Sequence, residues 1–218
     1  MAASDGKDGD ERDESEGLVA RKIAEYLEGA FEKVRLTRRA HFAAHPHTRP
    51  RRVDVDSIIA SYANQNAVIA GAANLVPGPW GALTIVPEIT LVIRNQIQMV
   101  YDLGVAHGRE AQLTRTTLLA IFATVMGGGA VSLATVRGGQ LIVKRASLRV
   151  IQQVVKWLGG KITQRVLRAL LAKWVPILGA AAMAVWARHS TREMGRKAAA
   201  LLANDIIDEG GAAEPVGA

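Results

Sequence analysis

The sequence contains no cysteine, few aromatic residues and no long, strongly apolar run. Among its 218 residues there are 0 Cys, and aromatic residues make up 5%. The lack of cysteine excludes disulfide scaffolds, cysteine-ligated zinc, iron–sulfur clusters and thiol nucleophiles. Apolar residues reach 49%, which is enough for one buried core. That core must be built from Ala, Leu, Ile and Val, since rings are rare.

Acidic residues are scarce in the second half of the chain. Residues 111–203 carry 14 Lys and Arg against one acid, Glu193. Residues 1–20 carry 7 acids and 2 bases, and residues 204–218 carry 4 acids and no base. The net charge of +7 hides this segregation, which is the main functional indication in the sequence.

The N-terminal segment lacks the features of a targeting signal. A secretory signal begins with basic residues and continues with an apolar run, whereas acids fill this segment. Residues 1–16 hold almost nothing apolar to offset chain entropy, so we predict that they are disordered. Residues 209–218 are predicted to be a second disordered tail. The expected location is the cytoplasm, in association with the membrane.

Apolar residues recur at helical spacing along most of the chain, which predicts an all-α fold. Residues 17–56 are predicted to form an amphipathic helix, ending before His45, and a Pro/His/Arg linker; residues 57–208 form the main helical domain. We expect a multi-helix bundle of about seven helices with glycine/proline-tipped apolar hairpins. Predicted segments are 57–76, 84–107 with Gly108 as its cap, 114–126, 130–136, 141–158, 161–174 after a break at Gly159-Gly160, and 176–207.

Two long stretches carry no charge. Residues 57–87 are 31 uncharged residues, and residues 116–136 are 21. A continuous helix over the second stretch would span about 30 Å, the thickness of the hydrocarbon core. Both stretches also contain many polar residues, prolines or glycines. The favoured interpretation is buried hairpins in a bundle; insertion into a bilayer, or a switch between these two states, are the alternatives.

The basic half predicts an amphipathic surface. Leu148, Ile151, Val154, Val155 and Leu158 form an apolar stripe, and basic residues follow a parallel stripe. This pattern is typical of helices that lie on anionic membranes, where each base contributes about 1 kcal/mol. A solvated face is the alternative; nucleic acid is disfavoured because no recognition motif accompanies the charge. The predicted membrane- and anion-binding residues are Trp80, on a tip at residues 77–81, and Lys144, Arg145, Arg149, Lys156, Lys161, Arg165, Arg168 and Lys173.

No catalytic residue, cofactor site or metal site is predicted. The run Gly159-Gly160-Lys161 lacks two features of a phosphate-binding loop, because position 155 is Val and position 162 is Ile. His41, His45 and His47 have ligand-like spacing. Pro46 interrupts the helix that would align them, so a solvated linker is the better interpretation.

Two groups of short motifs carry a family resemblance. The first is LVPGPWG at residues 75–81, VPE at 86–88 and QIQMVYDLGVAHG at 96–108; the second is WVPILG at 174–179 and TREMGRKA at 191–198. Together they resemble the EcsC-like family and the related uncharacterised helical domain found with bacterial Era-type GTPases. The resemblance implies a helical, membrane-associated bacterial domain without established catalysis. It also implies a stand-alone member or one that serves a separately encoded partner.

These observations predict a non-enzymatic, membrane-associated helical protein. It would bind anionic lipid through its basic face and apolar hairpins, and would serve a partner protein. Two alternatives stay open: a soluble basic scaffold, which would show no lipid affinity, and an integral helical-hairpin channel, which would need detergent for solubility.

Overall fold

The described part of the chain is mostly helical, with one small sheet. The computed structural model describes residues 5–73, 80–128, 133–171 and 179–209. The prediction of a largely α-helical fold is confirmed, whereas the count of about seven helices is replaced by six in the described residues. The elements are α1 (Asp5–Ala44), α2 (Val55–Ala73), α3 (Trp80–Ala106), α4 (Arg115–Val125), β1 (Ala134–Arg137), β2 (Gln140–Val143), α5 (Leu148–Leu171), α6 (Gly179–Leu202) and β3 (Asp205–Asp208).

Helix α1 is longer than predicted at its N-terminal end. It begins at Asp5 and so includes most of the acidic segment that composition assigned to disorder. Extending an existing helix adds one hydrogen bond per ordered residue without a new nucleation step. The predicted end before His45 is confirmed by the last helical residue, Ala44. Of the predicted C-terminal tail, residues 210–218 lie outside the described residues.

The core lies where α3, α4 and α5 pack against α1. Leu27 and Phe31 of α1 are buried there, and the ring of Phe31 meets that of Phe122 edge-on with centroids 5.5 Å apart. Helix α4 is buried along almost its whole length. The segment of residues 17–56 therefore shares its core with the rest of the chain.

Helix α2 packs antiparallel to both α3 and α6. The Asn66 side chain of α2 donates to Thr191 of α6 at 3.1 Å and accepts from Asn95 of α3 at 3.0 Å. Nearer the start of α2, Ile59 packs against Gly195, further along α6. The C-terminal end of α2 therefore lies with the N-terminal ends of α3 and α6.

A β-hairpin replaces the helix predicted to begin at residue 141. Strands β1 and β2 pair antiparallel, with Arg137 opposite Gln140. Gly138 and Gly139 have φ angles of 58° and 77°, which suit the two-residue turn that matches strand twist. The four-residue strands are too short to produce a visible alternation in sequence. The uncharged stretch 116–136 is accordingly split between α4 and this hairpin.

Helix α6 also ends earlier than predicted, at Leu202 rather than near Ile207. The Asn204 side chain donates to the carbonyl oxygens of Ala200 and Leu201, at 2.9 and 3.0 Å. It thereby satisfies acceptors that the helix end leaves open. The following residues form β3, which pairs parallel with β2.

The predicted helix break at Gly159-Gly160 is wrong, because α5 continues through both residues. A Cβ atom at Gly159 would lie 2.7 Å from the carbonyl oxygen of Ala20 and 3.1 Å from the Ala24 Cβ. The glycine therefore permits close contact between α5 and α1. Two predicted helices merge here into one, which accounts for part of the lower helix count.

The predicted cap at Gly108 is confirmed. Gly108 has a φ of 74° and donates to the carbonyl of Val105, while Arg109 donates to that of Gly104. These two bonds define the Schellman arrangement that closes a helix with a left-handed glycine. The chain can then turn directly from α3 toward α4.

Candidate functional site

Five of the predicted binding residues surround the start and middle of α5. Lys144 and Arg145 are exposed in the segment between β2 and α5. Arg149 and Lys156 are exposed on the helix itself, and Lys161 is half-buried. At about 100° per residue, Lys161 lies about 140° around the helix from Lys156, so we call the other four residues the basic face.

The basic face follows from the amphipathic pattern of α5. Arg149 and Lys156 are two turns apart and therefore separated by about 10 Å along the axis, at 1.5 Å per residue. On the opposite side Val154, Val155 and Leu158 are buried in the core. The predicted apolar stripe is confirmed at these positions, and its burial holds the cations toward solvent.

Leu148 departs from the predicted stripe. It is the first residue of α5 and 76% exposed, and Val150 is exposed beside it. Because no helical turn precedes Leu148, its side chain is not held against the core. Two apolar side chains therefore lie at the surface among Lys144, Arg145 and Arg149.

The basic face carries charge that no ion pair neutralises within the described ranges. None of its four cations forms an ion pair with another residue in the described part of the chain. Several acids elsewhere are paired with other bases, as in the contact of Glu32 with Arg35 at 2.6 Å. The ammonium and guanidinium groups of the basic face are accordingly available to an external anion.

The structure does not test the other predicted residues. Trp80 begins α3, and Arg165 and Arg168 belong to α5, but their side chains are outside the described features. Lys173 and most of the predicted tip at residues 77–81 lie outside the described residues. Trp157, which precedes the predicted break at Gly159-Gly160, lies within α5 and packs on the core.

A second exposed apolar region lies at one end of the α2–α3–α6 unit. Helix α2 runs antiparallel to α3 and α6. Residues after Asn66 in α2 and residues before Asn95 in α3 and before Thr191 in α6 therefore lie at the same end of the unit. Four exposed apolar residues fall there: Val68, Leu91, Val185 and Trp186. Val68 is 71% exposed, and the other three are exposed as well. We call these four residues the apolar end. Helix α3 begins with Trp80 at this same end of the unit.

Arginines lie close behind the apolar end. Arg94 of α3 and Arg188 of α6 are exposed, and Arg192 is half-buried. None of these three has an ion-pair partner among the described residues. An apolar surface bordered by cations is typical of segments at a membrane interface.

One buried ionic group was not predicted from the sequence. Arg38 of α1 donates two hydrogen bonds to the Asp102 carboxylate of α3, at 2.8 and 2.7 Å, and the Tyr62 hydroxyl of α2 donates a third at 2.8 Å. Burial raises the pKa of Asp102, although Arg38 and Tyr62 act in the opposite direction. All polar partners come from this chain, so the arrangement ties three helices together.

The histidine cluster does not form a metal site. His41 and His45 stack with ring centroids 5.0 Å apart, and His47 meets His45 edge-on. All three are exposed. Across the described residues no group of three or more His, Cys, Asp or Glu side chains is arranged to hold a metal ion.

No helix within the described ranges combines the length and apolar composition needed to cross a bilayer. Comparison of the chain with protein-family models, with curated proteins and with solved structures gives no match. The candidate site therefore stands on the geometry of the basic face and of the apolar end.

Proposed function

We propose that this protein is a non-enzymatic, membrane-associated helical protein that binds anionic lipid surfaces. The observation that carries the proposal is the exposure of Leu148 and Val150 among the unpaired cations of the basic face. Apolar side chains enter the headgroup region, and cations beside them contact lipid phosphates. A face that only kept the protein soluble would not require an exposed leucine at its centre.

The apolar end supplies a second region of lipid contact in this proposal. Val68, Val185 and Trp186 are exposed there with arginines behind them. Indole rings favour the boundary between apolar and polar surroundings. Trp80, as the predicted insertion residue of the neighbouring tip, belongs to the same part of the proposal.

The proposal includes a cytoplasmic location and a partner protein. The resemblance of residues 75–108 and 174–198 to the EcsC-like family stays a prediction, and it favours a membrane-associated domain that serves another protein. Under this hypothesis the chain has no catalytic residues, and its basic face recruits it to the membrane.

The basic face is tested by reversing Arg149 and Lys156 to Glu and measuring co-sedimentation with phosphatidylglycerol vesicles. Since each cation near such a surface contributes about 1 kcal/mol, loss of both lowers affinity by at least about 30-fold. Arg39→Glu with Arg196→Glu makes the same change in net charge at exposed, unpaired positions elsewhere. This control should bind within about threefold of wild type, because overall charge matters less than contact.

Leu148→Ser separates insertion from simple electrostatic attraction. We expect it to weaken vesicle binding about tenfold, the value of burying much of one leucine, without altering thermal stability.

Equal losses in the α5 and control double variants would contradict the assigned face. Full binding by both would contradict it as well.

A further inference from the structure

A cleft of about 170 Å³ lies between α1 and α3. A single water needs about 10–15 Å³ of such space, so the cleft has room for a small polyatomic ligand. Its lining comes from one stripe of each helix: Tyr26, Ala30, Lys33, Val34 and Thr37 of α1, and Thr90, Leu91, Arg94 and Gln98 of α3.

Four hydrogen-bond donors in this lining have no partner among the described residues. The Tyr26 hydroxyl, the Lys33 ammonium, the Arg94 guanidinium and the Gln98 amide form no hydrogen bond or ion pair with any residue in the described ranges. Burial raises the pKa of Tyr26, which keeps its hydroxyl a donor at neutral pH. Two helices thus present unpaired donors to one space.

The remaining polar groups of the cleft are already engaged. The Thr37 hydroxyl donates to the Lys33 carbonyl at 2.7 Å, and the Thr90 hydroxyl donates to the Pro87 carbonyl at 2.8 Å. Among the lining residues none is Asp or Glu. The cleft therefore has positive charge and free donors without a carboxylate to repel an anion.

The apolar part of the lining limits what the anion carries. Ala30 and Val34 are buried in the wall, and Leu91 is exposed at its edge. A bare inorganic ion would leave this apolar surface exposed to water. A ligand with a short carbon skeleton attached to its charged group would cover it and gain from the burial of apolar surface.

We propose that the α1–α3 cleft binds a phosphate monoester that carries a short carbon skeleton, such as a glycerol phosphate unit. A planar guanidinium and an ammonium together suit the oxygens of a phosphate, and the Tyr26 and Gln98 donors serve the remaining lone pairs. A carboxylate, with two oxygens, could be satisfied by Arg94 alone.

The same phosphate monoester occurs free in solution and as the headgroup of phosphatidic acid. The two sources are distinguished by measuring calorimetric binding of glycerol 3-phosphate and, separately, co-sedimentation with phosphatidic acid in phosphatidylcholine vesicles. The cleft does not overlap the basic face, but it shares Leu91 with the apolar end and Arg94 with the arginines behind it, so the test that separates the inference from the proposed function uses the soluble ligand and the basic-face variant. A protein with Arg149→Glu and Lys156→Glu should still bind glycerol 3-phosphate.

The decisive variant is Lys33→Ala with Arg94→Ala, compared with Arg39→Ala and Arg196→Ala as a charge-matched control. We expect the cleft variant to lose at least about 30-fold in affinity, since hydrogen bonds to charged groups are the strong ones. Tyr26→Phe, which keeps the ring, should lose about fivefold. Lys33 and Arg94 are exposed, so thermal unfolding should stay unchanged in the double variant.

Binding of glycerol 3-phosphate that the cleft variant loses and the control keeps supports a soluble ligand. Loss confined to phosphatidic acid vesicles supports a lipid headgroup as the source. If wild type binds neither probe, or if the cleft variant and control bind equally, the proposal is overturned.

Discussion

The Asp102 carboxylate is buried and hydrogen-bonded to side chains of two other helices. It accepts two hydrogen bonds from Arg38 and one from Tyr62, and it is only 5% exposed. The Arg38 guanidinium also lies over the Phe42 ring at 4.6 Å. Because a buried charge is expensive without partners, each member of this group depends on the others.

Replacing Asp102 with Asn should lower the free energy of unfolding by about 3 kcal/mol, because Arg38 then lacks a counter-ion in a buried setting. Tyr62→Phe should lower it by about 1.5 kcal/mol, since it removes one hydrogen bond to a charged group. Urea denaturation measures both changes. A loss below about 1 kcal/mol for Asp102→Asn would mean that Arg38 is satisfied by water.

Sequence alone could not have found this group. The pattern around Asp102 predicts the helix and its glycine cap correctly. Its partner Arg38, however, is 64 positions away, and no local spacing indicates which of many arginines meets a given carboxylate. The donors of the α1–α3 cleft could not be predicted as a group for the same reason, since two of them lie on α1 and two on α3.

At the scale of elements, Gly159 and Gly160 show how neighbouring residues of one type differ in role. A Cβ at Gly159 would meet α1 at 2.7 Å, whereas a Cβ at Gly160 would find nothing within 4 Å. The sequence pattern predicts that the pair breaks the helix. Burial of α5 on both sides of the pair instead outweighs the low helix propensity of glycine.

Gly159→Ala should therefore destabilise the protein by about 2 kcal/mol, because the backbone of α1 must shift to admit the methyl group. Gly160→Ala should stabilise it by about 1 kcal/mol through helix propensity. Thermal and urea unfolding of the two variants provide a matched comparison at adjacent positions. Equal effects of the same sign would argue against close contact between α1 and α5.

Element boundaries were predictable where a local signal ends a helix. The end of α1 before His45 and the cap at Gly108 follow from proline and glycine chemistry, and the structure confirms them. The β-hairpin was not predicted, because strands of four residues offer too few positions for alternation. Strand β3 was missed because its pairing depends on a distant strand rather than on its own sequence.

At the scale of the whole molecule, the charge segregation predicts how the protein should behave in cells. Cations of the basic face and those behind the apolar end have no ion-pair partner in the described ranges. Contacts that depend on such charges weaken when salt shortens the Debye length to about 3 Å at 1 M. Apolar insertion, by contrast, does not weaken with salt.

We expect the protein to fractionate with membranes of expressing cells and to be largely released by 1 M salt. The wash tests the electrostatic share of binding, and alkaline carbonate at about pH 11 then tests for integral insertion. Retention through both washes would favour the channel-like alternative. Recovery in the soluble fraction alone would favour the scaffold and contradict membrane binding.

The parallel pairing of β3 with β2 has a consequence for the order of folding. Strands β1 and β2 are joined by a two-residue turn, so they can meet within microseconds. Strand β3 is separated from β2 by α5 and α6, so its pairing closes a much longer loop, and we expect it to form later. One edge of β2 therefore stays open through most of folding, and intermediates carry a strand edge on which neighbouring chains can pair.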